Sequence, residues 1–143
     1  MALREEVEQV LRDYFSADSR GALAVYLFGS VARGEGRADS DVDVGVLFET
    51  TPPSSLQAPQ FRMEGELERL LHREVQVIAL NRASPDLVHR VLRDGRLLLD
   101  RDPAARIRFE VGSRNEYFDM APVRQLYRRY PPPSQAGSAG RRR

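Results

Sequence analysis

Over the first fifteen positions, Leu3, Val7, Val10, Leu11, Tyr14 and Phe15 recur at helical spacing, with Glu5 and Glu6 in the first turn where the helix dipole favours acids. This predicts an opening helix packed on a sheet. Asp18-Ser19-Arg20-Gly21 then turns the chain, and a continuous apolar run from Ala22 to Phe28, bounded by Gly21 and Gly29-Ser30, reads as a buried strand. Positions 41–47 follow a different rule: Asp41, Asp43 and Gly45 alternate with Val42, Val44 and Val46, a period of two. A second strand is predicted there. Its valines enter the core, while Asp41 and Asp43 leave together on the other face, ~7 Å apart along the backbone.

Downstream, Phe61 or Met63, Leu67, Leu70 and Leu71 mark a helix ending near His72, and 74–80 reads as a third strand. Between them, 49–59 is rich in proline and serine, a plain connector or a flap beside the site. Ser84-Pro85-Asp86 is a helix start, with serine as cap and proline at the first position, and Leu87, Val88, Val91 and Leu92 form its buried stripe up to Asp94-Gly95. A short strand is predicted at 96–100. Asp102-Pro103 opens a last helix carrying Ile107, Val111 and Phe118, weakened by Gly112 and ended or kinked at Pro122. From Pro131 the proline, glycine and arginine composition cannot bury apolar surface, so a domain at 1–130 and a disordered tail at 131–143 are expected. The pattern predicts an α/β fold: a small, twisted mixed sheet with helices on one face and the acids on the other.

Composition narrows the chemistry. At 143 residues the chain suits one domain. Net charge is +1, so charge balance gives no reason to expect stable DNA binding. All 22 basic residues are arginine. Without lysine there is no Walker-type phosphate loop and no Schiff-base chemistry, and without cysteine there is no disulfide, thiol nucleophile or cysteine-bound zinc. His72 and His89 stand singly on predicted helices and read as ordinary surface residues. The first residues lack the basic-then-apolar pattern of a signal peptide, and no apolar stretch approaches membrane-spanning length, so a cytoplasmic protein is expected.

The candidate chemistry lies at 29–46. Gly29 lets the backbone turn sharply and lets a ligand approach closely, and a short helix from Ser30 would offer amides to an anion. Two carboxylates on one strand face repel each other unless a cation joins them. Gly29-Ser30, ten further residues, then Asp41-Val42-Asp43 resembles the signature of the polymerase-beta-like nucleotidyltransferases. With Arg33-Gly34 and Ser40 included, it is most similar to the minimal nucleotidyltransferases that act as antitoxins of HEPN ribonuclease toxins. The resemblance spans about residues 3–100.

That resemblance implies the family's fold and its roles. Asp41 and Asp43 would be catalytic and would ligate magnesium, a hard ion suited to carboxylate and phosphate oxygens. Gly29, Ser30 and Arg33 would bind the nucleotide through its phosphates, with Arg37 adding charge. ATP would be the substrate, and the partner a HEPN-type toxin, assembled with the antitoxin and adenylylated on a tyrosine. The family generally has a further acid on the next strand, where Gln76 stands; a neutral amide cannot act as base and is a weak magnesium ligand. Glu74, two residues earlier on the same strand face, is a candidate substitute. Two other readings stay open: a binding module that masks a toxin by contact, and a transferase acting on a small molecule such as an aminoglycoside, for which the chain leaves little room.

Overall fold

The computed structural model of the chain describes residues 2–119. The elements run α1 Leu3–Ala17, β1 Ala22–Phe28, α2 Gly29–Ala32, β2 Val42–Phe48, α3 Pro59–Leu71, β3 Val75–Ala79, a 3-10 turn Leu80–Arg82, α4 Pro85–Asp94, β4 Arg96–Asp100 and α5 Pro103–Asp119. The strands form one mixed sheet in the order β3-β2-β1-β4. β1 is antiparallel to both β2 and β4, whereas β2 and β3 are parallel, as two strands joined across a helix can be. The expected tail at 131–143 and the break at Pro122 lie outside the described residues.

Alternation along the two central strands divides the core. On one face Val25 and Leu27 of β1, Val42, Val44 and Val46 of β2 and Val75, Val77 and Ala79 of β3 pack against Val7, Leu11, Tyr14 and Phe15 of α1 and Met63 and Leu67 of α3. On the other, Ala24, Tyr26, Phe28 and Leu47 pack with Leu80 and with Val88 and Val91 of α4, and Phe109 of α5 closes over them partly buried. Coverage therefore goes further than the single helical face expected from the pattern. All seven positions of β2 are buried, the acid Asp43 among them. Gly45 permits this: a Cβ there would lie 3.3 Å from both Leu80 and Val91, so α4 can sit close against the strand.

Helix starts and stops follow the predicted chemistry in α4. The Ser84 side chain accepts from the Leu87 amide at 3.2 Å, Pro85 opens the first turn, and the Gly95 amide donates to the Val91 carbonyl at 2.7 Å. Elsewhere the apolar stripe is only partly right. Met63 and Leu67 of α3 are buried, but Phe61 and Leu70 are exposed. In α5, Ile107, Val111 and Phe118 are 48%, 45% and 60% exposed and carry no core. That helix is seated by polar contacts instead: Glu110 accepts from the Tyr26 hydroxyl at 2.6 Å, and Arg106 donates to Glu110 at 3.0 Å and to Asp100 at 2.9 Å.

Candidate functional site

The β1–α2–β2 connection builds a cavity of about 250 Å³ lined by Phe28, Gly29, Ser30, Arg33, Ser40, Asp41, Asp43 and Arg90. Each of the five residues singled out in the sequence (Asp41, Asp43, Gly29, Ser30 and Arg33) lines it. β1 stops at Phe28, which pairs with Asp43 of β2, so the turn into α2 starts directly beside the second acid. Gly29 takes φ +81, and a Cβ on it would collide with the Asp43 carboxylate. Glycine is required here on both counts. Any side chain would fill the space above the carboxylate and strain a left-handed backbone.

The loop 33–41 is shaped to deliver Asp41. The Arg37 amide donates to Ser40 Oγ at 2.7 Å and the Ser40 amide donates back to the Arg37 carbonyl at 3.0 Å, closing a tight turn before the acid. Arg73, just before β3, donates to the carbonyls of Arg37 and Ser40, both at 3.2 Å. Gly36 lets the loop press on α2 and α1, since a Cβ there would lie 2.9 Å from Val31 and 3.1 Å from Leu3. Arg37 itself is not in the cavity wall; it serves through its backbone. Arg73 was not legible as a site residue, because nothing local links 73 to 37–40.

Charge around the cavity is unevenly committed. Arg33 pairs with Glu35 at 3.2 Å and reaches Asp94 of α4 at 4.0 Å. Asp94 is itself gripped by the Arg93 guanidinium through two 3.0 Å hydrogen bonds, which hold its carboxyl below the usual carboxylate range. Arg90, exposed on α4, also lines the cavity. It is the lining residue that sequence reasoning missed. The predicted start of α4 placed it on a helix, but only the packing of that helix over Gly45 brings it to Gly29 and Asp43.

Which residues could hold a metal follows from the donors present. Asp41 stands just before β2 and Asp43 is its second residue, both lining the cavity, and Gln76 of β3 is in register beside Asp43. Among the described residues no set of three or more aspartates, glutamates and histidines is placed to hold an ion. Glu74 therefore does not complete a carboxylate triad; it is exposed, and its carbonyl accepts the Val42 amide at 2.9 Å. Two carboxylates beside an open cavity suit magnesium, which commonly takes one or two carboxylates and completes its shell with water and substrate phosphates. The volume is below the ~300–1,000 Å³ typical of a pocket that swallows a whole ligand, so it fits a phosphate group with the rest of the molecule outside. No described helix is long and apolar enough to cross a membrane.

Comparison with known proteins places this geometry. Residues 9–104 match the family model described as polymerase beta, nucleotidyltransferase. A protein of Methanocaldococcus jannaschii named "putative protein adenylyltransferase" is 31% identical over 83 residues, covering 57% of this chain and 93% of the relative. In fold, the chain superposes on a chain of a toxin-antitoxin crystal structure with AMP-PNP (TM-score 0.72, 24% identity, 83% of this chain and 93% of that one). It also superposes on a chain of the complex of a tri-AMPylated Shewanella oneidensis HEPN toxin with an MNT antitoxin (TM-score 0.68, 21% identity, 87% of this chain and 94% of that one). A turn glycine set against a buried aspartate, two acids lining one cavity and a match over two thirds of the sequence agree: the chain belongs to the polymerase beta nucleotidyltransferase family.

Proposed function

We propose that this protein is a cytoplasmic minimal nucleotidyltransferase that neutralises a HEPN-type ribonuclease toxin by moving AMP from ATP to a tyrosine hydroxyl of that partner. The observation that carries the reading is the convergence of Gly29, Ser30, Arg33, Asp41 and Asp43 on one small cavity. The named activity of the archaeal relative and the toxin-antitoxin assemblies among the fold neighbours support it.

In this mechanism the tyrosine oxygen bonds to the α-phosphorus, the bond from that phosphorus to pyrophosphate breaks, and the hydroxyl proton passes to solvent water. Asp41 and Asp43 would hold magnesium, which would supply neutralisation of the phosphate charge. Gly29 keeps space open above Asp43 so that phosphate oxygens can approach it. Ser30 and Arg33 hold the phosphates against the wall formed by α2. The turn at 37–40, fixed by Arg73, keeps Asp41 aimed at the same point.

A second reading is a toxin-binding antitoxin with a weakened site. Gln76 beside Asp43 favours it, since the described residues offer no third carboxylate. Incubating the protein and its Asp41→Asn/Asp43→Asn form with a HEPN-type toxin, magnesium and ATP labelled at the α- or the γ-phosphate separates the two. Transfer of α-label alone, lost in the double variant together with neutralisation, establishes adenylylation. No transfer by the native chain, with neutralisation intact in the variant, establishes the second reading.

A further inference from the structure

The cavity holds two arginines, and they differ in how they are engaged. Arg33 already has two acidic neighbours, Glu35 at 3.2 Å and Asp94 at 4.0 Å. Arg90 makes no hydrogen bond or ion pair with any described residue, although it is near enough to Asp94 to help hold that carboxyl charged. It also faces the acids from a different element, one whose position is firmly set. Val88 and Val91 of α4 are buried on the sheet, Gly45 gives Val91 its seat, Ser84 caps the start and Gly95 ends the helix.

Resting on the nucleotidyltransferase reading above, we infer that Arg90 is the main protein cation for the nucleotide's phosphates, with Arg33 a secondary one that also ties α2 to α4 through Asp94. The physical reason is the difference in cost. Arg33 must give up, or share, two existing carboxylate partners to meet a phosphate, whereas Arg90, among the described residues, gives up only its longer-range interaction with Asp94. A guanidinium meets phosphate through two parallel hydrogen bonds, a geometry that an ammonium cannot reproduce. The bound phosphates would then lie between the Asp41 and Asp43 carboxylates and a guanidinium on α4. In this arrangement α4 is a wall of the nucleotide site as well as a cover for the second sheet face, and any movement of α4 changes nucleotide affinity.

Calorimetry of the full chain with ATP and with AMP, in magnesium, tests this on the native protein and on Arg90→Ala, Arg90→Lys, Arg33→Ala and Asp41→Asn/Asp43→Asn. Arg90→Ala is expected to weaken ATP by roughly tenfold or more and AMP by less, because fewer phosphate oxygens remain to bind, with Arg90→Lys in between. Its melting temperature should not change, since Arg90 is exposed. Arg33→Ala should cost less ATP affinity than Arg90→Ala but lower the melting temperature, through the lost Asp94 tie. If the native chain binds ATP and Arg90→Ala binds it equally well, or Arg33→Ala loses more, the assignment of Arg90 is overturned and the nucleotide reading survives. If the native chain binds no ATP, or the double aspartate variant binds it unchanged in magnesium, the nucleotide reading itself falls and takes this assignment with it.

Discussion

The two faces of the sheet are built from the same strands yet do different work. Toward α1 and α3 the contacts are almost wholly aliphatic and aromatic, and the one buried charge there among the described residues, Glu8, is met by Arg96 and Arg12. Toward α4 and α5 the face carries Asp43, the Gly45 notch, and a polar set in which Tyr26, Glu110, Arg106 and Asp100 are linked in series. A central strand buried on both sides can thus place stability on one side and chemistry on the other. Burying Asp43 works against folding, and the aliphatic face offsets it.

That division gives graded ways to break it. The largest stability loss should come from the aliphatic face: Leu67→Ala, at a fully buried position, is expected to cost about 2–5 kcal/mol in urea unfolding. Label transfer per folded molecule should be unchanged. A parallel loss of specific activity would show that the faces are not separable. Gly29→Ala inverts the pattern, with a stability cost of about 1–2 kcal/mol from the left-handed backbone and transfer reduced to background by the methyl over Asp43. Retained transfer would mean that nothing needs to approach Asp43 there.

Tyr26 allows a finer cut. Burial, followed by its hydrogen bond to Glu110, raises the Tyr26 hydroxyl above the ordinary tyrosine range. A raised folded value means that the contribution is complete below the unfolded value of about 10 and is lost as pH rises through the folded one. Stability should therefore fall on the alkaline side. Tyr26→Phe should flatten that fall while costing about 1 kcal/mol at neutral pH, Glu110 keeping Arg106 as a partner. Tyr14, raised by burial and then by its bond to Glu66, should leave a residual slope; an unchanged alkaline limb would refute the assignment to Tyr26. Smallest of all, Ile107→Ser on the exposed stripe of α5 should stay within ~0.5 kcal/mol of the native chain, and a clear loss would show that the stripe is packed after all.

Where the chain reads correctly from its sequence, the signal is local. Period two in 41–47 is a property of consecutive residues, and the ten-residue spacing between Ser30 and Asp41 is enough for the turn, the loop and both acids. The start of α4 was legible for the same reason, since Ser84 caps an amide three residues on. The misreadings concern which of two stripes turns inward. Ile107, Val111 and Phe118 have a core-like pattern, yet α5 is turned so that Arg106, Phe109 and Glu110 face the sheet, because Tyr26 and Asp100 offer polar partners there. Leu70 failed likewise on α3, where, of the alternatives Phe61 and Met63, it is Met63 that joins Leu67 in facing the strands.

By itself, then, the sequence determined the elements, the order in which they come, and the pairing of a glycine turn with the two acids Asp41 and Asp43, since these depend on neighbours within a few residues. Only the tertiary structure decided that helices cover both faces, that Arg73 holds the loop before Asp41, and that Arg90 completes the cavity wall. Those outcomes depend on where segments 33 to 84 residues apart in sequence meet, and on a missing side chain at Gly45 that lets α4 come close. Periodicity records which face of an element is apolar; it holds no information about what stands opposite.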